Sequence, residues 1–437
     1  MSLTQDQILQ LAPDEASKKA GQQLANNAKW NAKYCHENAL WGDCQGSGSK
    51  PYKTIIDLQN LAFKCSCPSR KFPCKHGLGL FLLFANQESV FTKKNELEEY
   101  VAEWLDKREA KAESKNKPKE EGPIDEKAQQ KRIDAREKKV QSGIDELSVW
   151  LKDTVRNGIM QVPQNPYQFN QNITTRMIDA QAPGLASQLR KINTIHFYKD
   201  GWQLKLIKQL SSIYFLCEAY KNKSHFDDNW QKEINSQIGW AISKEEVLLT
   251  EAIQDKWLVV SKTFQDEGNL TTEKIYLLGY ETNRFALLLN FYAGNQMPQH
   301  LYAEGNIIDA ELCFYPGVNS TRAIIKKQNG IELSFNEING KTDFESILVQ
   351  ISEHLSINPF ITTLPFVMSK VKIIFDNNHW FLKDQNNFIF VLSNSEDECW
   401  NILSISKAKS FSCFVLYEEK ELNLNSLWLD NKFYFIK

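Results

Sequence analysis

Three cysteines and a histidine fall within twelve residues of this chain, spaced Cys65-x-Cys67, six residues, Cys74-x-His76. Residues two apart on an extended strand point to the same face, so Cys65 and Cys67 can grip one ion together. The return segment PSRKFP is bracketed by Pro68 and Pro73, which suits a stiff loop that brings the chain back. Cys74 and His76 stand at the mouth of GLGLFLLF, an all-round apolar run that reads as a helix buried under the site. The expected unit is therefore strand, strand, ligand loop, helix. Three thiolates and one imidazole fill a tetrahedral shell, the pattern of structural zinc; catalytic zinc keeps one position open to water. The alternatives fit less well. A thioredoxin-like pair wants Cys-x-x-Cys, which the sequence lacks, an iron–sulfur cluster normally wants four cysteines, and an accidental group of buried thiols remains as the bland reading.

The rest of the chain sets the context for that cluster. With 437 residues and 42 % hydrophobic side chains, it has material for two or three domains. The formal net charge of −2 excludes a polycation built to coat nucleic acid or an anionic membrane, so any electrostatic partner must meet a local patch. No stretch resembles a leader peptide or reaches the roughly 18 to 20 apolar residues of a membrane span, and we read a cytoplasmic protein. Thiols stay reduced there, which favours metal over disulfides for the cluster. Cys35, Cys44, Cys217, Cys313, Cys399 and Cys413 lack pair spacing and read as small apolar fillers. His196, His225, His300, His354 and His379 show no ligand spacing, and no nucleophile elbow or Walker sequence occurs, so nothing points to an enzyme. The GSGSK segment at 46–50 lacks a P-loop frame and reads as a hairpin loop.

The elements that must carry these residues divide the chain into five stretches. Candidate ligands, glycines and aromatics concentrate in 28–86. A flanking helix at 87–105 follows, with Leu97, Val101, Trp104 and Leu105 on one stripe. Residues 106–142 hold twelve basic and nine acidic side chains and few large apolar ones, which reads as a charged, solvated linker interrupted by Pro118 and Gly122-Pro123. A helical domain is expected over 143–194, with Ile144, Leu147, Leu151 and Val155 on one face and a second helix over Ile173 to Gln181 that restarts after Pro183-Gly184. From 195 to 437 short β-branched and aromatic runs such as KWLVVSKTF and RFALLLNFYA predict a β-rich domain, with FESILVQISEHL as a helical exception. The expected class is α+β multidomain: a small zinc-stabilised ββα finger, a helical middle and a β-rich C-terminal region.

Residues 28–86 carry a resemblance. Trp41-Gly42, Gly46 to Gly48, Pro51-Tyr52, Cys65 to Arg70 and Pro73 to His76 resemble the bacterial form of the SWIM zinc finger. GIDELSVWLKDTVRNGI and MIDAQAPGLASQLR are similar to the helical segment that follows the finger in bacterial members. The resemblance implies a zinc-dependent module that binds DNA or protein. The long bacterial architecture implies an adaptor for a system that also contains a MoxR-type ATPase and a von Willebrand A-domain protein.

Charge in the finger region leaves both binding modes open. Eight Lys or Arg side chains stand against Glu37, Asp43 and Asp57 over 28–86, and zinc with three thiolates adds about one negative charge. Arg70 and Lys71 flank Phe72 in the ligand loop, and Lys75 follows; together they form a basic-aromatic tip suited to phosphate and base contacts. Equally, the loop cations can stay solvated or face the thiolates while Phe72 packs over the site. The favoured expectation is a protein-interaction adaptor, with DNA binding through this tip as the alternative.

Overall fold

A computed structural model describes residues 5–45, 50–59, 61–69, 71–116, 126–267, 270–293, 302, 304–332 and 338–436. The N-terminal unit opens with α1 (Gln5–Gln10) and α2 (Glu15–Leu24), followed by β1 (Trp30–Cys35), β2 (Ala39–Cys44), β3 (Tyr52–Asp57) and β4 (Ala62–Cys65). It closes with α3 (Lys75–Asn86), β5 (Thr92–Lys93) and α4 (Glu99–Asn116). The strands form one sheet in the order β4-β3-β2-β1-β5, larger than the two strands expected around the ligand loop. Alternation along β2 and β3 explains why this sheet is covered on both sides. Leu40 and Ile56 face the core shared with α1 to α3, while Ala39, Trp41 and Ile55 pack against Val101, Leu97, Trp104 and Leu105 around α4. The stripe expected on the flanking helix is thus what seals the second face.

α2 and α3 cross at glycines. A Cβ on Gly79 would lie 2.6 Å from Leu24 Cβ, and one on Gly21 would lie 2.8 Å from Leu78 Cβ. Neither backbone could come so close with a larger residue.

The middle of the chain is helical well past the expected limit at 194. α5 (Glu126–Asn157) is followed by α6 (Pro166–Phe169), α7 (Gln171–Asp179), α8 (Pro183–Arg190), α9 (Trp202–Lys221), α10 (Asp228–Ile238) and α11 (Lys244–Leu248). Val140, Ile144, Leu147 and Leu151 of α5 enter the bundle core, whereas Val155, in the last turn, is 54 % exposed. α9 buries Trp202, Leu206, Leu210, Ile213, Cys217 and Tyr220, a three- and four-residue recurrence that marks a helix despite its β-branched and aromatic content. Much of the stretch read as a solvated linker is helix as well. Within α5, Arg136 donates to the carbonyls of Gln181 and Gly239 and stacks on Trp240, and Glu137 pairs with Lys223 at 2.7 Å. These charges dock the helix, so the near balance of acids and bases in the sequence concealed specific partners. Pro118 and Gly122-Pro123 lie outside the described residues.

Strands resume at residue 252. β6 (Ala252–Glu267), β7 (Leu270–Gly279), β8 (Phe285–Ala293), β9 (Ile307–Phe314) and β10 (Arg322–Glu332) close a barrel in the order β10-β8-β7-β6-β9. All pairs are antiparallel except β8 with β10. The run Trp257-Leu258-Val259-Val260 is apolar without alternation because both faces are covered: Trp257 and Val259 point into the barrel, Leu258 and Val260 toward the last unit.

That last unit comprises α12 (Phe344–Ile357), β11 (Thr363–Asp376), β12 (His379–Lys383), β13 (Ile389–Val391), α13 (Glu396–Ser406), β14 (Phe411–Glu418), β15 (Glu421–Leu429) and β16 (Lys432–Phe435). Its sheet runs β13-β12-β11-β14-β15-β16. Three of its hairpins turn on residue pairs with positive φ, Asn377-Asn378, Glu419-Lys420 and Asp430-Asn431, as two-residue hairpin turns of the right twist require.

Candidate metal centre

β4 ends at Cys65, and Ser66 keeps pairing: its N–H donates to Lys53 O, and its hydroxyl accepts from Lys53 N–H. Cys65 sits opposite Thr54 in the register, which places the Thr54 hydroxyl 3.3 Å from Cys65 Sγ. Beyond the loop, Cys74 is the N-cap of α3 and His76 lies in its first turn. The helix therefore presents its unpaired N–H groups and positive end to the thiolates. Phe63 holds that first turn close: a Cβ on Gly77 would lie 2.8 Å from the Phe63 ring.

The four donor atoms of Cys65, Cys67, Cys74 and His76 all lie within 4.8 Å of one another. His76 Nδ1 stands 3.7 Å from Cys65 Sγ and 4.0 Å from Cys74 Sγ. Ordinary zinc bond lengths in a tetrahedron give about 3.6 Å between sulfur and nitrogen and about 3.8 Å between two sulfurs. Donor chemistry and spacing both fit a structural zinc ion. Cys74 and His76 are buried, Cys65 and Cys67 half-buried.

The surroundings favour a thiolate at Cys65 alone, whereas burial pushes the Cys67 thiol up. Backbone N–H groups of Cys67, Ser69 and Gly77 donate to the sulfurs of Cys65, Cys67 and Cys74 respectively. A hydrogen bond from Cys74 is the largest cause holding the Cys65 thiol down at about 4; burial opposes it, while His76, the Thr54 hydroxyl and the Cys67 N–H assist. Cys74, the donor of that pair, is pushed up. Metal would deprotonate both. His76 is oriented by Tyr52, whose ring centroid lies 4.9 Å away at a 40° tilt. Such outer partners fix ligand orientation. Thr54 escaped the sequence reading because its signal, a hydroxyl in the apolar strand YKTIID, points at the metal only once the β3–β4 register is known.

Residues 60–84 match the family model of the SWIM zinc finger. The chain carries a SWIM zinc finger. Residues 135–238 match the SWIM-associated four-helix bundle domain, covering most of the helical middle. No curated protein and no solved structure matches the chain.

Of the contact residues expected on this SWIM finger, Lys71, Phe72 and Lys75 are among the described residues. Lys71 pairs with Asp14 at 2.7 Å and thereby ties the ligand loop to the start of α2. Phe72 is half-buried with its ring edge-on to Phe63 at 6.2 Å. Lys75 is exposed on the first turn of α3, and Arg70 lies outside the described residues. The GSGSK loop also lies outside them, apart from Lys50. No described helix is long and apolar enough to cross a membrane.

Proposed function

We propose that this chain is a non-catalytic adaptor whose finger is built around one structural zinc held by Cys65, Cys67, Cys74 and His76. The observation that carries the reading is the closed donor set: four protein ligands leave the ion no position for a substrate or an activated water. What the ion stabilises is a surface.

Two features favour protein over nucleic acid as the partner. The first is that two members of the basic tip already have partners within the chain, Lys71 in Asp14 and Phe72 in Phe63. Among the described residues, the corresponding face of the barrel is covered. In five-stranded Greek-key barrels that bind oligonucleotides, the face of the second and third strands takes the ligand. Here Tyr276 and Phe285 of that face pack on Phe414, with ring centroids 5.6 and 5.9 Å apart. The second feature is exposed aromatic surface on the last unit, where Phe375 and Trp400 are each about half exposed beside Trp380. Aromatic side chains of this kind anchor protein interfaces.

The resemblance names the first partners to try, a MoxR-type ATPase and a von Willebrand A-domain protein. Purified zinc-loaded chain mixed with each in sedimentation velocity should give a complex with one of them, while labelled single- and double-stranded DNA should not bind. Binding to DNA that falls steeply with salt and disappears when Arg70 and Lys75 are neutralised would overturn the protein reading and put nucleic acid first.

A further inference from the structure

Among the described residues, four of the five most exposed large hydrophobic side chains gather at one end of the helical bundle: Tyr198 at 83 %, Leu204 at 74 %, Tyr167 at 72 % and Met160 at 66 %. α5 and α9 run antiparallel, with Lys152 over the Tyr214 ring and Lys221 donating to Ser148, so the end of α5 and the start of α9 lie at the same level. Met160 follows α5, and Leu204 is in the first turn of α9. α6, which carries Tyr167, and α9 both touch the turn at 191–194. Phe197 packs on Trp202 at 5.4 Å, which pins the loop before α9 and leaves Tyr198 outside it.

The charge at this end is opposite in sign to that of the whole chain. Residues 180–208 hold five basic side chains and one acid, Asp200. Lys205 pairs with Glu419 at 3.9 Å, but Arg190, Lys191, Lys199 and Lys208 are exposed, and among the described residues no carboxylate pairs with them. The end of α8 accounts for Arg190 and Lys191, since a helix C-terminus favours cations. It does not account for Lys199, which precedes the N-terminus of α9, where a cation is disfavoured.

We propose that this end of the bundle docks on an anionic lipid surface. The hydrophobic side chains stand on separate turns and helix ends and project singly, whereas the hot spots of protein interfaces sit in packed pockets. A lipid interface needs no matching shape. Met160 and Leu204 enter the acyl boundary, the amphipathic rings of Tyr167 and Tyr198 suit the headgroup level, and the cations meet lipid phosphates. A nucleic acid, which offers phosphates and base stacking, would leave Met160 and Leu204 without a use. The site goes beyond the zinc-dependent role proposed above, and either can fail without the other.

The test is co-sedimentation of the full zinc-loaded chain with phosphatidylcholine vesicles, with and without phosphatidylserine. Binding should require phosphatidylserine and weaken with salt. It should fall about fivefold in each of Lys191→Gln and Lys199→Gln. The double change Met160→Ser with Leu204→Ser should lower it by at least about tenfold, with an unchanged melting curve. Leu249→Ser, at an equally exposed side chain beside the barrel (84 %), should leave binding as it was. Equal binding to both vesicles, or no loss in the double variant, would overturn the proposal. So would failure to sediment with either vesicle, and capture of soluble polyglutamate in their place would assign the face to an acidic protein.

Discussion

Replacing Gly79 by alanine tests whether the zinc shell depends on the crossing of α2 and α3. In an ordinary helix interior this change stabilises by about 1 kcal/mol, because glycine is the poorer helix former. Here the new methyl would stand 2.6 Å from Leu24 Cβ, 3.2 Å from Leu24 C and 3.3 Å from Gly21 O. Carbon pairs settle at about 3.5–4.0 Å, so the helices must part by roughly 1 Å. Overpacking of this kind costs about 1–3 kcal/mol, and the shift also loosens Leu78 and Leu80 in the shared core. The net expectation is destabilisation by about 1–2 kcal/mol, opposite in sign to the propensity effect. Since α3 carries Cys74 and His76, the readout is zinc release to a chromogenic chelator as urea is raised. A denaturant slope of about 1–3 kcal/mol per molar places the drop in midpoint at roughly 0.3–2 M. A midpoint that stays put or rises would refute the packing argument.

Other expectations concern parts of the molecule remote from the finger. Lys262 and Glu273 pair at 3.0 Å inside the barrel, where the two side chains are 11 % and 1 % exposed. Glu273→Ala should cost about 3–5 kcal/mol in a chemical melt by stranding the ammonium; the double change Glu273→Gln with Lys262→Met should recover most of it, and a harmless single change would show the pair to be solvated. Burial pushes the Cys217 thiol up to about 12 and that of Cys399 to about 11. Because burial disfavours the thiolate, alkylation at pH 8 should be slowed roughly a thousandfold at Cys217 and about a hundredfold at Cys399 until urea unfolds the chain, and rapid labelling of the native protein would contradict their placement. Ser395→Ala should lower stability by about 1 kcal/mol, since Ser395 and Glu398 form a reciprocal cap on α13; an unchanged melt would mean that the cap is redundant.

The zinc ligands were legible in the sequence because their order along the chain is also their order in space: Cys65 at the end of a strand, Cys67 in the bend just beyond it and not on the strand as expected, and two at the start of the following helix. α3 followed from its unbroken apolar run, and the α+β organisation from the change of periodicity along the chain. Misreadings arose where tertiary packing overrode local composition. α9 contains Ile213, Tyr214 and Phe215 in succession and resembles a strand over any five residues; only the full 20-residue window displays its helical period. α10 and α13 did carry signals, Asp227 and Gly239 flanking one and Ser395-x-x-Glu398 opening the other. The Asp14–Lys71 tie and the Thr54–Cys65 contact join residues 57 and 11 positions apart, and periodicity does not encode such pairings.

Among the described residues, β4 pairs only with β3 and is the outermost strand on its side of the sheet. A free strand edge invites another chain to add to it, and natural edges are protected by being short, bent away or covered. β4 has four residues, and at its end the chain turns off into the metal loop, so ion binding also governs how long that edge is. Without zinc, the segment from Ser66 onward is released to extend the strand. The metal-free protein is therefore expected to associate as well as to lose stability, and light scattering should rise on chelation before helical signal is lost. On this view the ion keeps one molecule from becoming a template for the next.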